Sequence, residues 1–200
     1  MDNPSIIHHH QPLVLASRSP RREFLLKQAG LEFSVCESDV DEAGYEWTEP
    51  EDYTKTLAMA KAEDVAARYP DQWIIGADTI VVLDDNVLEK PVSKEHARQM
   101  ITALSGCVHS VYTGYAVVFS QAGHFFSDWA KTDVRFKTLS PAEIAWYTET
   151  SEPYDKAGGY AIQGLGAMFI SHVNGSYTNV VGLPVCEVVD HLIRHGVIAF

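Results

Sequence analysis

The stretch CVHSVYTGYAVVFSQAGHFFSDWAKTDVRF, residues 107–136, decides the fold class. β-Branched and aromatic residues dominate 107–119 and again 125–136, with Gln121-Ala122-Gly123 between them as a turn. Two long strands joined by so short a loop pair antiparallel. Such a hairpin argues against an all-parallel, doubly wound sheet.

Upstream of the hairpin, strands and helices alternate. Leu13-Val14-Leu15-Ala16 is a short apolar run that reads as a buried strand. Ser19-Pro20 opens a helix, with Ser at the N-cap and Pro at the first helical position, and Gly30 stops it. Residues 31–36 read as a second strand. Pro50 starts a helix that runs through Ala58, Lys61 and Val65 towards Tyr69-Pro70. Residues 73–76 and 79–83 read as two strands with Ala77-Asp78 between them. Asp84-Asp85-Asn86 is a hairpin signal, and Ser93 caps a helix through Leu104. Downstream, Ser140 and Glu143 form a capping box, 157–166 is glycine-rich, and a last helix follows Gly182-Leu183-Pro184 to about His195. Intermixed elements of this kind make an α/β fold with a mixed sheet and flanking helices. Residues 1–12 read as a flexible, solvated leader that includes His8-His9-His10, and residues 13–200 as one domain.

Composition narrows the function. The 200 residues carry 15 Lys and Arg against 27 Asp and Glu, a formal charge of −12. Duplex nucleic acid is therefore an improbable partner, because phosphate contacts need surplus cations. The three cysteines, Cys36, Cys107 and Cys186, form no CxxC pair and read as buried small hydrophobes in a reducing cytosol. No apolar run is long enough to span a bilayer, and the start lacks the marks of a secretory signal.

Three constellations could carry chemistry. Ser17-Arg18-Ser19-Pro20-Arg21-Arg22 sets three of the scarce cations at a helix N-terminus, where backbone N–H groups, hydroxyls and guanidinium forks suit phosphate. A capped helix with solvated arginines is the plainer alternative. The scattered acids come second. Asp78, at the end of an apolar strand in Gly76-Ala77-Asp78-Thr79, could hold a hard cation or activate water, or simply cap its own turn. Asp41-Glu42 and Glu89-Lys90 lie in loops, and Lys61 on its own reads as a surface residue on an alanine-rich helix. The third is Tyr154 to Gly164, where glycines permit close backbone approach to a ligand, Asp155-Lys156 add a charge pair, and Gln163 can both donate and accept, as reading a base edge requires. His109, His124 and His172 read as structural histidines without metal-ligand spacing. A P-loop, a GxSxG elbow and HExxH are all absent.

Taken together and in order, LASRSPRR (15–22), VDE (40–42), AMAKA (58–62), GADT (76–79), LEKP (88–91), LSG (104–106), DKAGGYAIQG (155–164) and NGSYTNVVGLP (174–184) resemble the Maf family of nucleoside triphosphate pyrophosphatases, or septum-formation-inhibitor proteins. The resemblance implies a mixed α/β architecture similar to inosine triphosphatase-like proteins, with two lobes flanking a cleft. It implies cleavage of a nucleoside triphosphate between the α and β phosphates with a divalent cation, Mg²⁺ or Mn²⁺. Asp78 matches the family's proton acceptor, and Arg21, Thr79 and Gln163 match positions tied to substrate choice. Ser17, Arg22, Glu42, Lys61, Glu89, Lys90, Asp155 and Lys156 match other active-site positions of the pattern. On this reading Glu42 and Asp78 hold the metal, and Arg21, Arg22, Lys61 and Lys90 stabilise the pyrophosphate leaving group. GADT, EKP and YAIQG look like the dTTP and UTP branch; the GSDQ, GKP and FxxEG pattern of the 7-methyl-GTP branch is absent. Arg18 stands where many members carry a smaller residue, so no role is carried onto it.

The implied setting is cytoplasmic house-cleaning of the nucleotide pool, with a role in cell-division arrest. The implied partner is a nucleoside triphosphate, with neither a nucleic-acid polymer nor a membrane. Two rival functions stay open at this point: a nucleotide-binding regulator of septum formation with little catalysis, and a 7-methyl-GTP pyrophosphatase. The aromatics of the long hairpin fit either a core or a homodimer interface.

Overall fold

A wholly buried strand, Leu13–Ala16, feeds a Pro-initiated helix, Pro20–Gln28. A computed structural model describes residues 7–200. In chain order the elements are β1 (His8–His9), β2 (Leu13–Ala16), α1 (Pro20–Gln28), β3 (Ser34–Val35), α2 (Pro50–Ala66), β4 (Trp73–Leu83), β5 (Asn86–Leu88), α3 (Lys94–Leu104), β6 (Val108–Phe119), β7 (His124–Phe136), α4 (Pro141–Thr148), β8 (Ile170–Asn174), α5 (Tyr177–Val181), α6 (Val185–Arg194) and β9 (Ile198–Ala199). The main sheet is mixed. Its order is β3-β2-β4-β6-β7-β8, with β5 also paired to β4. β2 runs parallel to β3 and β4, whereas β4–β5 and β7–β8 are antiparallel. The mixed α/β expectation holds.

The chain divides into two compact units. The first contains the chain up to Asp78, Thr113–Trp129 and Gly182–Phe200; the second contains Thr79–Tyr112 and Ala130–Val181. β4, β6 and β7 run from one unit into the other. In the first unit Val14, Ala16, Ala58, Ala62, Val65, Ile74, Ala116 and Val118 form a core of small and β-branched side chains. In the second, a larger-residue core joins Ile101, Leu104, Val134, Phe136, Tyr147 and Phe169.

Local chemistry explains most boundaries. Pro20 sits at the first helical position of α1, and Gly30 takes the left-handed conformation (φ +79°) after its last turn. The β4–β5 turn puts Asp84 and Asp85 both at positive φ, as a two-residue hairpin requires. Ser93 Oγ accepts from His96 N at 3.1 Å, and the Ser140–Glu143 capping box is complete.

Several expectations change. The second strand shrinks to Ser34–Val35, both exposed. The two strands read around Ala77-Asp78 are one continuous strand, so Asp78 lies mid-strand and not at a strand end. At both positions the strand faces α2: a Cβ on Gly76 would sit 2.2 Å from the Ala58 carbonyl oxygen, and the Asp78 carboxylate accepts from Lys61. Of the leader, residues 1–6 lie outside the described residues. His8–His9 pair with Ile198–Ala199 as a two-stranded sheet, and His9 Nε2 accepts from Glu32 N at 3.0 Å. Cys36 and Cys107 are only partly buried and Cys186 is exposed; all three are free thiols. Among the described residues, no helix is long and apolar enough to cross a membrane.

His109 is a core histidine of the second unit, 2% exposed. Its Nε2 lies 2.7 Å from the Tyr160 hydroxyl, and its ring meets Phe136 edge-on. Burial pushes its pKa down from 6.5 to about 4, against a weaker opposing pull from Asp133. The unfolded chain therefore binds more protons than the folded chain between these two values. Stability from the neutral ring is complete above pH 6.5 and drains away as pH falls towards 4. We expect His109→Gln to flatten the fall of Tm across that window. A wild-type slope retained in the variant would assign the acid lability elsewhere.

Candidate active site

The first unit holds six of the sequence-selected residues: Ser17, Arg21, Arg22, Glu42, Lys61 and Asp78. Ser17 follows β2 directly. Its Oγ accepts from Ser19 N at 3.1 Å and from Arg22 Nη1 at 3.2 Å. Arg22 Nε donates to the Gly182 carbonyl at 2.7 Å. The guanidinium is thus locked at the start of α1 by both its Nε and Nη1 atoms. Burial lowers its pKa; the Asp78 and Glu42 carboxylates counter this, and Arg21 adds to it. Arg22 stays charged all the same. Ser19 stands at the N-cap of α1 but makes no side-chain cap bond, contrary to the expected capping role.

Beside this cationic helix start, Lys61 on α2 bridges two acids. Its Nζ lies 2.7 Å from Glu42 Oε1 and 2.7 Å from Asp78 Oδ1. The side chains of Lys61 and Asp78 are 12% and 10% exposed, whereas that of Glu42 is 56% exposed. Lys61 is therefore not the solvated surface residue its alanine-rich context suggests. Glu42 opens a 3-10 turn (Glu42–Gly44) whose N-cap Asp41 accepts from Ala43 N at 3.1 Å. Glu42 and Asp78, both on the Lys61 nitrogen, are hard oxygen donors of the kind a small divalent cation takes together with substrate phosphates. One of these acids is buried and one is open to solvent, so the pair can bind a cation that arrives with its ligand.

Gly76 makes this geometry possible. A Cβ there would sit 2.2 Å from the Ala58 carbonyl oxygen and 2.9 Å from Ala62 Cβ. With Ala58 and Ala62 facing it, α2 lies against β4 at backbone contact, next to Lys61 and two residues from Asp78.

The second unit holds the remaining residues. Thr79 follows Asp78 on β4 and is partly buried. Glu89 and Lys90 expose their side chains just after β5, and the Glu89 carbonyl accepts from Gly158 N at 3.2 Å. Gly158 and Gly159 both have positive φ; a Cβ on Gly159 would press on Pro91 at 3.1 Å. The glycine pair therefore lets the 157–159 turn pack on Glu89-Lys90-Pro91. Lys156 Nζ donates to the Glu152 carbonyl at 2.8 Å and also binds the Asp155 carboxylate. Gln163 is exposed on the turn that follows.

One residue escaped the sequence reading. Glu152 organises the Gln163 turn: its carboxylate accepts from Tyr147 OH at 2.8 Å, Leu165 N at 2.7 Å and Gly166 N at 2.8 Å. A Cβ on Gly164 would meet that carboxylate at 2.0 Å. A capping acid thirteen residues before its partner leaves no local pattern to read.

A family described as Maf-like protein matches residues 12–195. The chain belongs to this family. Among its relatives are two curated dTTP/UTP pyrophosphatases that this Maf-like protein matches closely. That of Syntrophus aciditrophicus is 44% identical over 190 residues, covering 95% of this chain and 93% of the relative. That of Geotalea uraniireducens is 48% identical over 186 residues, covering 93% and 96%. A solved nucleoside-triphosphatase (dITP/XTP pyrophosphatase) from Mycobacterium abscessus aligns over 92% of this Maf-like protein and 96% of its own chain, at TM-score 0.44 and 12% identity. That likeness is too distant to bear on the site.

Proposed function

We propose that this Maf-like protein is a nucleoside triphosphate pyrophosphatase that hydrolyses dTTP and UTP to the monophosphate and pyrophosphate. The observation that carries the reading is the mostly buried Lys61 ammonium held 2.7 Å from both Glu42 and Asp78. Relatives named dTTP/UTP pyrophosphatase, alike over nearly their whole length, support the substrate class.

The chemistry follows from the charges. A water oxygen attacks the α-phosphorus, the bond from that phosphorus to the α–β bridging oxygen breaks, and pyrophosphate departs. Asp78 takes the proton of the attacking water; its carboxylate is mostly buried and held by Lys61, so its position is fixed before substrate arrives. Arg21, Arg22 and Lys61 offset the charge that builds on the leaving pyrophosphate. Ser17 holds Arg22 in place for that task. A divalent Mg²⁺ or Mn²⁺ bound at Glu42 and Asp78 would supply Lewis-acid polarisation and further charge neutralisation. Roles for the second unit's residues rest on the family pattern: Lys90 in offsetting charge on the leaving pyrophosphate, Glu89, Asp155 and Lys156 in binding the substrate, Thr79 and Gln163 in reading the pyrimidine edge.

A panel of triphosphates assayed for pyrophosphate release with Mg²⁺ or Mn²⁺ tests the reading. It should include UTP, dTTP, 5-methyl-UTP, pseudo-UTP and 7-methyl-GTP. Turnover is expected for the pyrimidines. Binding without turnover would point to a nucleotide-sensing regulator, and a preference for 7-methyl-GTP would overturn the substrate assignment. Gln163→Ala and Gln163→Glu are expected to change the ratio of UTP to other triphosphates by about tenfold, the value of one lost base-edge hydrogen bond. An unaltered ranking in both variants would remove Gln163 from base reading.

A further inference from the structure

The first unit contains a cluster of imidazoles that the proposed reaction does not use. His191 and His195 stand one turn apart at the end of α6, and His124 opens β7. His124 Nε2 lies 3.0 Å from His191 Nε2, and ligand atoms from all three rings lie within 4.8 Å of one another. Two imidazole nitrogens bound to one ion at ~2.1 Å, with an angle of 90–110° between them, are about 3.0–3.4 Å apart. The observed separation of His124 and His191 fits that spacing as it stands.

One of the three rings is also oriented by the backbone. His195 Nδ1 lies 2.9 Å from the His191 carbonyl, an oxygen that can only accept, so the proton sits on Nδ1 and the lone pair on Nε2. A ligating histidine is oriented by this kind of bond from its other nitrogen to a backbone carbonyl. His191 stacks on Phe126 (ring centroids 4.1 Å apart) and on His195 (4.2 Å), and Trp73 tilts against His124 at 4.9 Å; because the two stacked imidazoles direct their in-plane lone pairs side by side, His195 must turn out of the stack to share an ion with His191 and His124. His191 is 8% exposed, whereas His195 is open to solvent, which leaves an ion a route of entry. Burial lowers the pKa of His191 to about 4, helped by its two neighbouring rings, and burial with His195 lowers that of His124.

We propose that His124, His191 and His195 form a three-imidazole site for a late first-row divalent ion of the Zn²⁺ class, distinct from the oxygen donors Glu42 and Asp78. Imidazole selects Zn²⁺, Co²⁺, Ni²⁺ or Cu²⁺ over Mg²⁺. Three protein nitrogens leave a fourth position for water, and the ion would tie the last turn of α6 to the start of β7.

The test uses the full chain, untagged and stripped with chelator, with Mg²⁺ in excess to occupy the carboxylates. Co²⁺ titration should give one ion per chain with visible d–d absorption, and Zn²⁺ at a hundredfold excess over its Kd should raise Tm by about 5–10 °C. His195→Ala, at an exposed position, and His124→Gln should each lose the absorption band and the Tm shift. His8→Ala/His10→Ala should keep both, which separates the cluster from the leader histidines. No stoichiometric Co²⁺ binding by the wild type, a band that survives in both cluster variants, or loss of the band in the His8/His10 variant would each overturn the proposal. None of these readouts depends on turnover, so they stand apart from the pyrophosphatase reading.

Discussion

Asp78→Asn is expected to lower kcat for pyrophosphate release from UTP by about 10²-fold or more, with the fold retained. Asparagine is isosteric and keeps an oxygen able to accept from Lys61 Nζ, which in the wild type lies 2.7 Å from Asp78 Oδ1. Lys61 also keeps Glu42 at 2.7 Å, so its charge is not left unpaired in a mostly buried place. What asparagine cannot do is accept the water's proton. The loss should therefore fall on kcat, with a smaller change in KM. Asp78→Ala would add the stability cost of removing a partner of Lys61, and comparing the two variants separates the proton-transfer role from the packing role. Near-wild-type kcat in a well-folded Asp78→Asn protein would pass the role of base to another group.

The lysine at the centre of this arrangement shows where sequence reasoning stops. Apolar periodicity located α2, and the proline at its start located its first turn. Yet Lys61 among alanines carries no sign that its ammonium is enclosed. That follows only from how near α2 lies to β4, a distance set by Ala58, Ala62 and Gly76 acting together. The same closeness misled the strand reading. Glycine and aspartate are poor strand formers, so 76–78 looked like a break, whereas both residues are there because of the helix that faces them. Propensity reports what a residue prefers when nothing else acts on it, and here the packed neighbour decides.

Two other misses have different causes. The short strands β1 and β9 are two residues each and pair across almost the whole chain, so no local pattern marks them. The imidazole cluster, in contrast, left a legible half-signal: His191 and His195 are four apart on a strongly amphipathic helix, which places both on one face. Only the third ligand, His124, had to await the fold. The capping box at Ser140, the Asp84-Asp85 turn and the Gly30 stop were read correctly because the chemistry of each is complete within about four residues.

The closeness of α2 and β4 also yields the largest expected effect on the fold. Gly76→Ala adds one methyl, and that methyl would sit 2.2 Å from the Ala58 carbonyl oxygen and 2.9 Å from both the backbone nitrogen and the Cβ of Ala62. These are backbone and first side-chain atoms with no rotamer to yield, so α2 itself must shift. Overpacking of this sort costs about 1–3 kcal/mol and occasionally more. For a chain of this length that corresponds to a fall in Tm of about 2–12 °C. The displacement would reach the site directly, because α2 carries Lys61 and the shift is away from the strand that carries Asp78. A contact of 2.7 Å cannot survive a movement of even 1 Å without losing its hydrogen bond. Turnover in the folded fraction should drop by about 10²-fold, the known sensitivity to misplacement on that scale, although no catalytic group has been altered. Gly123→Ala is the control: its added methyl meets nothing within 4 Å, and its φ of +68° costs about 1 kcal/mol in stability with no route to the site. If Gly76→Ala lowered Tm and activity no more than Gly123→Ala does, backbone contact between α2 and β4 would not be what holds Lys61 against Asp78.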